Sequence, residues 1–511
     1  MNDWNEGYFT GSTYTYGYYR ELSPAYQRFI LLANGFSVSA ESDESIHCEL
    51  GFGQGVSINI HAASNPGYFI GTDFNPAHSS HANDLLKSFS SEESRIKFFD
   101  DSFEQMIDRD LPQFDSISLH GIWTWISTEN QKRVVEFARK FLKPGGIFYN
   151  SYNVFPGWAP KSPLRELLIL HDKFSESNFS TKKRVEDAIQ FIQNFVATDP
   201  VFLKTAPGFK PMLDMISKQS PDYIAHEFLN RDWICMYFTE VLEMLSDAKL
   251  DFACTTELIE LYDNLNFNQA ALSFLNKIEN PIMREQVKDY FLNRQFRKDL
   301  FVRGARKISQ VESMSRLAKT RFILTTSDEV KPDFQTVLGN IKIAPEVQDA
   351  VIQYLKTDNY RPKSIEEIAQ ATKSKNPLQT LIILTHRGVI APCQSDESIK
   401  KVKKRCDKLN AYICSRAEFN TNIVFLASPV TGGGFHVNKS EMLVLNSIRH
   451  GKKNSKDIAR DIWQSFVRTG ERISKEGKRL ETMEENLPLL EDMAKTVIDK
   501  KLSIFHALQI I

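Results

Sequence analysis

Cysteine is scarce in this 511-residue chain, and the six that occur, Cys48, Cys235, Cys254, Cys393, Cys406 and Cys414, are scattered. No C-x-x-C pair exists and no histidine stands at metal-ligand spacing, so neither a disulfide framework nor a metal site is expected. Long apolar runs are also missing, which argues against membrane insertion. The opening "MNDWNEGYFTGS" lacks the basic start and apolar run of a signal peptide, and a cytoplasmic location is expected. Excess charge of either sign is absent: 63 Lys and Arg oppose 64 Asp and Glu, leaving a formal net charge of -1. That balance disfavours general nucleic-acid binding, and a hydrophobic share of 42% disfavours disorder.

What is present is enough chain for two or three domains. Residues 1–40 form a tyrosine-rich arm or lid, with a helix expected from Pro24 to Ala33 and ending at Asn34-Gly35. Residues 41–160 alternate short apolar runs ("SIHCEL", "YFIGTD", "RIKFFD", "FDSISLH", "GGIFYNSY") with helical text, notably "STENQKRVVEFARKFLKPGG". That is the pattern of a parallel α/β sheet, here of Rossmann-like type. Residues 161–250 carry apolar residues three and four apart and are expected to form a helical insertion. Residues 251–330 return to mixed signals and complete the core, with "FRKDLFVRG" as a late strand of the same sheet. Residues 331–511 are expected to be a C-terminal winged-helix-like α+β domain, because "SIEEIAQATKSKNPLQTLIILTHRGVIAP" reads as helix, turn, helix, strand.

The segment "HCELGFGQGVSINIHAA" places Glu49, Gly51, Gly53 and Gly55 between an apolar strand and a helix. Glycines there let the backbone turn sharply and approach a ligand. About twenty residues further on, the next strand ends in Asp73, positioned to accept hydrogen bonds from ribose hydroxyls. A dinucleotide site wants G-x-G-x-x-G beside a pyrophosphate, which Glu49 would repel. The spacing G-F-G-Q-G, preceded by an acid, suits S-adenosyl-L-methionine, whose ammonium and sulfonium are cationic. Asp100 and Asp101 end the third apolar run, where such a fold puts an acid near the adenine amino group. One of them can instead be a helix N-cap. Ser102 and Phe103 follow as backbone and apolar contacts to the base.

Taken together, "ELGFGQG", "GTDFNP", "FDSISLHGIWTWIS" and "LKPGGIFYNSYNVFPGW" resemble the class I S-adenosylmethionine-dependent methyltransferases that carry a methyltransferase regulatory domain. That group includes the rickettsial-type protein lysine methyltransferases that modify outer-membrane proteins. The likeness continues in weaker form through "DYIAHEFLNRDWICMYFTEVLEML", "QFRKDLFVRG" and "NIVFLASPVTGG". It implies a methyl-transferring enzyme with a protein partner that presents lysines. A homodimer is a further expectation.

A lysine acceptor needs a dry aromatic channel, which disfavours its charged form and guides the ammonium in. His120 ends the fourth apolar run, where open α/β sheets bind ligands, and faces the cofactor or the acceptor unless it is a satisfied strand-end histidine. Gly121 keeps the backbone close to the cofactor. Of the two tryptophans beyond it, Trp123 is expected in the pocket and Trp125 beneath. Tyr152 and Asn153 either hold the amine's hydrogens or pin the "NVFPGW" loop. Tyr14 and Tyr19, with Tyr16, either form a lid over the cofactor or pack as an aromatic cluster. Nothing in the sequence fixes the acceptor, so a small-molecule or glycan methyltransferase remains an alternative. A cofactor-sensing regulator that binds DNA through its winged helix is another; there "PLQTLIILTHRG" offers a single arginine and no basic stripe.

Overall fold

The computed structural model describes residues 15–39, 42–90, 95–175, 180–374 and 376–511. Seven strands form the main sheet: β1 (Ile46–Leu50), β2 (Tyr68–Thr72), β3 (Ile96–Phe99), β4 (Phe114–Leu119), β5 (Leu142–Asn153), β6 (Leu250–Thr255) and β7 (Phe296–Arg303). Their order is β3-β2-β1-β4-β5-β7-β6. The first five pair in parallel, while β7 runs antiparallel to both β5 and β6. β1 and β2 are buried from their second residue onward, as expected of central strands of a parallel sheet. The order reverses between β1 and β4, and a ligand crevice opens beyond the carboxyl ends of strands at such a point.

Helices α1 (Pro24–Ala33), α2 (Val56–Ser64), α3 (Pro76–Phe89), α4 (Phe103–Asp108) and α5 (Thr128–Phe141) pack around the sheet. α5 starts where Ser127 Oγ accepts a hydrogen bond from the Asn130 amide, at 3.2 Å. The sequence of α2, VSINIHAAS, has no amphipathic stripe, and all nine of its residues are buried. The sheet covers one side, and the long helix Asp396–Arg416 covers the other, where Cys406 Sγ donates to the Ala63 carbonyl at 3.2 Å. A helix buried all round carries no polar face.

Four helices, α6 (Ser162–Phe174), α7 (Thr181–Ala197), α8 (Phe209–Ile216) and α9 (Pro221–Phe228), close their own core around Trp158, Leu164, Ile192 and Phe209. The next helix, α10 (Phe238–Ser246), leaves that unit and packs on the sheet through Val241 and Leu245. Beyond β7, strands Lys363–Ser364, Arg321–Leu324 and Ile390–Pro392 form a small sheet beside helices Ile365–Thr372 and Pro377–His386, in winged-helix manner. Ser364 and Glu367 make the expected capping box. From Asp396 on, the chain builds a separate helical layer whose core merges with that of α2 and α3. Among the described residues, no helix is long and apolar enough to cross a membrane.

Candidate functional site

The carboxyl end of β1 turns through Gly51, Gly53 and Gly55, at φ values of 75°, 57° and 71°. A Cβ on Gly51 would lie 2.6 Å from the Ile122 side chain, so this position needs both the left-handed backbone and the missing side chain. Asp73, at the end of β2, pins the turn: one carboxylate oxygen accepts from the Gly53 amide at 2.8 Å. The other accepts from the Asn75 amide at 3.1 Å and lies 3.1 Å from His78 Nδ1. A carboxylate has about four acceptor sites, so capacity for a ligand hydroxyl remains. Glu49 stands beside it, 7% exposed and without an ion-pair partner among the described residues. Burial, helped by the Asp73 charge, pushes Glu49 up to about 8.

Glu49, Gly51, Gly53, Asp73, Asp101, Ser102, Phe103, His120 and Gly121 line one cavity over this turn. A buried acid that lacks a cation, set over a glycine turn, fits a ligand that brings positive charge. The loop after β3 presents Asp101, which the Arg109 guanidinium grips while also covering the Phe99 ring at 3.9 Å. Asp100 is exposed and lies outside the cavity, a correction to its expected role. Neither aspartate caps α4, because Ser102 does so in a capping box with Gln105. Gly55 is likewise not in the cavity. It begins α2, and a Cβ there would strike Ala82 of α3 at 2.4 Å, so its role is helix packing.

His120 follows β4. Its Nδ1 lies 2.8 Å from the Tyr149 hydroxyl and 3.3 Å from Ser151 Oγ, and Tyr19 stacks on its ring with centroids 3.8 Å apart. Burial lowers His120 to about 4 and raises Tyr149, so the ring is neutral and the tyrosine keeps its proton. With that hydroxyl donating to Nδ1, the ring's own proton is assigned to Nε2. The Gly121 amide donates to Ser151 Oγ at 2.8 Å.

The tryptophans are the reverse of the expectation. Trp123–Trp125 is a 3-10 turn, where residues two apart do not share a face. Trp123 is 0% exposed and joins the sheet core, whereas Trp125 lines the cavity. Tyr152 is also corrected. β5 runs through Asn153, so neighbouring residues point to opposite faces. Tyr152 is 0% exposed, and its hydroxyl donates to Asp299 at 2.6 Å, away from the cavity. Asn153, on the His120 side, reaches a second cavity of about 560 Å³. Tyr16 packs edge-on against His81. Tyr14 lies outside the described residues.

The second cavity meets the first at Thr15, Tyr19, His120, Gly121 and Trp125, and α9 forms its far wall. Trp158, Tyr223, Glu227 and Phe296 also line it, and none of them was singled out from the sequence. Burial, opposed by Arg165, pushes Glu227 up to about 7.

Comparison with known proteins shows what the chain and its fold resemble. Residues 220–303, from α9 through β7, match the model of a predicted methyltransferase regulatory domain. An uncharacterized protein of Synechocystis sp., sll1526, is 35% identical over 518 residues, covering 99% of each chain. RP789 of Rickettsia prowazekii, also uncharacterized, is 25% identical across 60% of this chain and 55% of its own. Among solved structures, PKMT2 from Rickettsia typhi in complex with AdoHcy superposes with a TM-score of 0.69 at 19% identity, covering 97% of this chain and 99% of that one. The fold is therefore shared along nearly the full length.

Proposed function

Because the chain belongs to the family of the Synechocystis protein sll1526 and folds as a class I methyltransferase sheet completed by a methyltransferase regulatory region, we propose that it is an S-adenosylmethionine-dependent N-methyltransferase acting on lysine side chains of a protein. The observation that carries this reading is the junction at His120, Gly121 and Trp125. There a cavity with an unpaired buried acid over a glycine turn opens directly onto a cavity walled by aromatic side chains, which supports a cationic nucleoside in the first and an acceptor in the second. The AdoHcy held by Rickettsia typhi PKMT2 supports the choice of cofactor.

The backbone at Gly51 and Gly53 would hold the amino-acid end, with Glu49 facing its ammonium. Asp73 would take the ribose hydroxyls, and Asp101, Ser102 and Phe103 the adenine. When bound, the cofactor supplies an electrophilic methyl group on a sulfonium. The protein's task is orientation and exclusion of water, since such a displacement needs no strong acid. Neutral His120, roofed by Tyr19, adds no positive charge where a sulfonium would sit. A free lysine, with a pKa of about 10.4, offers almost no neutral amine at pH 7, and aromatic walls such as Trp125, Trp158 and Phe296 disfavour its charged form.

The test is to incubate the purified protein and a cell lysate with methyl-labelled S-adenosylmethionine, then map the label by mass spectrometry. Label on lysine is expected. Label confined to small molecules or glycans, or no transfer at all, refutes the lysine assignment.

A further inference from the structure

The acceptor-side cavity carries one acid with no partner. Glu227 lies in the last turn of α9, and among the described residues its carboxylate makes no hydrogen bond and no ion pair. The nearest cation, Arg165 of α6, donates to the Asn230 carbonyl at 2.8 Å and stacks over Trp233 at 4.8 Å. The Trp125 indole donates to the backbone carbonyl of Glu227 at 3.4 Å, so tryptophan and acid are held side by side. Trp158, Tyr223 and Phe296 add aromatic walls. Asn153 also lines this cavity, though its Nδ2 is enclosed by the protein. A half-buried carboxylate with no cation paired to it, beside aromatic walls, favours a cationic ligand.

We propose that this cavity is a site for an alkylammonium carried on a polypeptide, with Glu227 as the residue that binds the ammonium and then accepts one of its protons. The ammonium nitrogen pairs with the carboxylate while its stem lies along Trp125 and Trp158, an arrangement that suits a cation beside aromatic faces. One N–H proton then passes to a Glu227 oxygen. The N–H bonding pair stays on nitrogen as the lone pair of a neutral amine, and the carboxylate becomes a carboxylic acid. No oxidant or other reactant is needed. The inference rests on the lysine reading above and deepens it, because it assigns the recognition of the acceptor to the regulatory region.

Ionisation of Glu227 sets when the site works. The groups around it are Arg165 on α6, Tyr223 and His226 on α9, and Tyr19 and His120 across the cavity. Burial holds the carboxyl protonated up to about 7, so the anchor is present above that pH and is lost as the pH falls through it.

The experiment titrates the full chain with n-butylammonium and, as a neutral control, n-pentanol, reading the fluorescence of the cavity tryptophans at pH 8.5 and 5.5. The wild type is expected to bind n-butylammonium at pH 8.5, and at least about tenfold more weakly at pH 5.5, as fits loss of one charge-assisted contact. E227Q should show the weak value at both pH values while binding S-adenosylhomocysteine as the wild type does, which certifies its fold. E227D should recover part of the affinity. With a lysine peptide, E227Q should raise KM and move the acidic limb of the rate profile. Equal affinity of wild type and E227Q for n-butylammonium at pH 8.5, with cofactor-product binding intact, overturns the proposal. If the wild type binds n-butylammonium through Glu227 yet methylates no lysine, the ammonium site stands and the lysine reading falls.

Discussion

Glu49 gives the sharpest test of the cofactor cavity, because its proton must leave when a cation arrives. In the ligand-free protein the carboxyl sits at about 8, against an ordinary 4.5, through burial and the neighbouring Asp73. At pH 7 it is then about nine-tenths protonated. An ammonium placed against it favours the charged form and draws the value back down. Full return to 4.5 would correspond to about 5 kcal/mol of coupling, an upper bound at roughly 1.4 kcal/mol per pH unit. Calorimetry of S-adenosylmethionine binding in buffers of different ionisation enthalpy should therefore show release of about 0.9 proton at pH 7 and little above pH 9. Affinity should rise about tenfold per unit from pH 6 to 7 and level off beyond pH 8. E49Q removes the titrating group and reports the ligand's own ionisation, so the ratio of wild-type to E49Q affinity should carry the tenfold-per-unit rise, and E49Q should bind more weakly at pH 8. Proton release indistinguishable between wild type and E49Q at pH 7 would refute the placement of a cationic ligand at Glu49.

Trp123→Ala empties a fully buried site and should cost about 3–5 kcal/mol in chemical denaturation. Trp125→Ala, at the cavity wall, should leave the denaturation midpoint nearly unchanged while raising KM for a lysine peptide. Tyr152→Phe leaves Asp299 without its hydroxyl donor in the interior and should cost about 1–3 kcal/mol, with S-adenosylhomocysteine affinity unaltered. The pH profile of stability follows from groups shifted in opposite senses. Glu49 and Glu227 lie above 4.5 in the fold, so from there to about 8 and about 7 the native state holds protons that the unfolded chain lacks, and stability falls as pH rises. His61 at about 3 and His120 at about 4 lie below 6.5, so their contribution is lost as pH drops beneath that value. Thermal melts of the ligand-free protein should thus be roughly level from pH 4.5 to 6.5, where the two acids and the two histidines offset one another, and weaken toward pH 8 by about 2 kcal/mol, a decline that bound S-adenosylmethionine reduces.

The sheet was legible because its parallel strands are buried on both faces and so appear as apolar runs, while α5 announces itself with Ser127 and an amphipathic stripe. β6 was not legible. It follows α10 without a glycine or proline to mark the break, the turn being made by Lys249 at φ 59°, and its outer residues alternate with solvent as an edge strand does. The text therefore ran on as helix to residue 250. The all-buried α2 gave no warning that residues from Asp396 onward would cover it, since two contacting surfaces remote in sequence leave no periodic trace.

Gly51, Gly53, Asp73, Asp101, His120 and Gly121 line one cavity because they sit at or just beyond strand ends, where topology alone brings groups together. Trp123 and Tyr152 were misassigned for one shared reason: side-chain direction depends on local backbone state. A strand reading of a 3-10 turn, and a loop reading of a strand that runs to Asn153, each exchange the inner and outer residues. Glu227 carries no local signal at all. It is one acid in a helix, more than a hundred residues from His120, and only the packing of α9 over the sheet gives it a place.

The last two units of the chain also reach the residues that flank Tyr19. Tyr19 roofs His120, yet the backbone around it is tied down from elsewhere. The Tyr18 hydroxyl accepts from the Gly434 amide at 2.6 Å, and the Arg20 guanidinium donates to the carbonyls of Thr385 and His386 at 3.0 and 3.2 Å. Those carbonyls end the second helix of the winged-helix unit, and a guanidinium there satisfies acceptors that a helix terminus leaves open. One residue on each side of Tyr19 is thus anchored in a different C-terminal element. Both anchors together hold the segment that carries Tyr19 over the imidazole, so the winged-helix unit ties down the N-terminal roof of the cavity. Its second helix fits that role, since Thr380–Thr385 are buried and Arg387 is spent on Gln348 and on the Lys331 carbonyl.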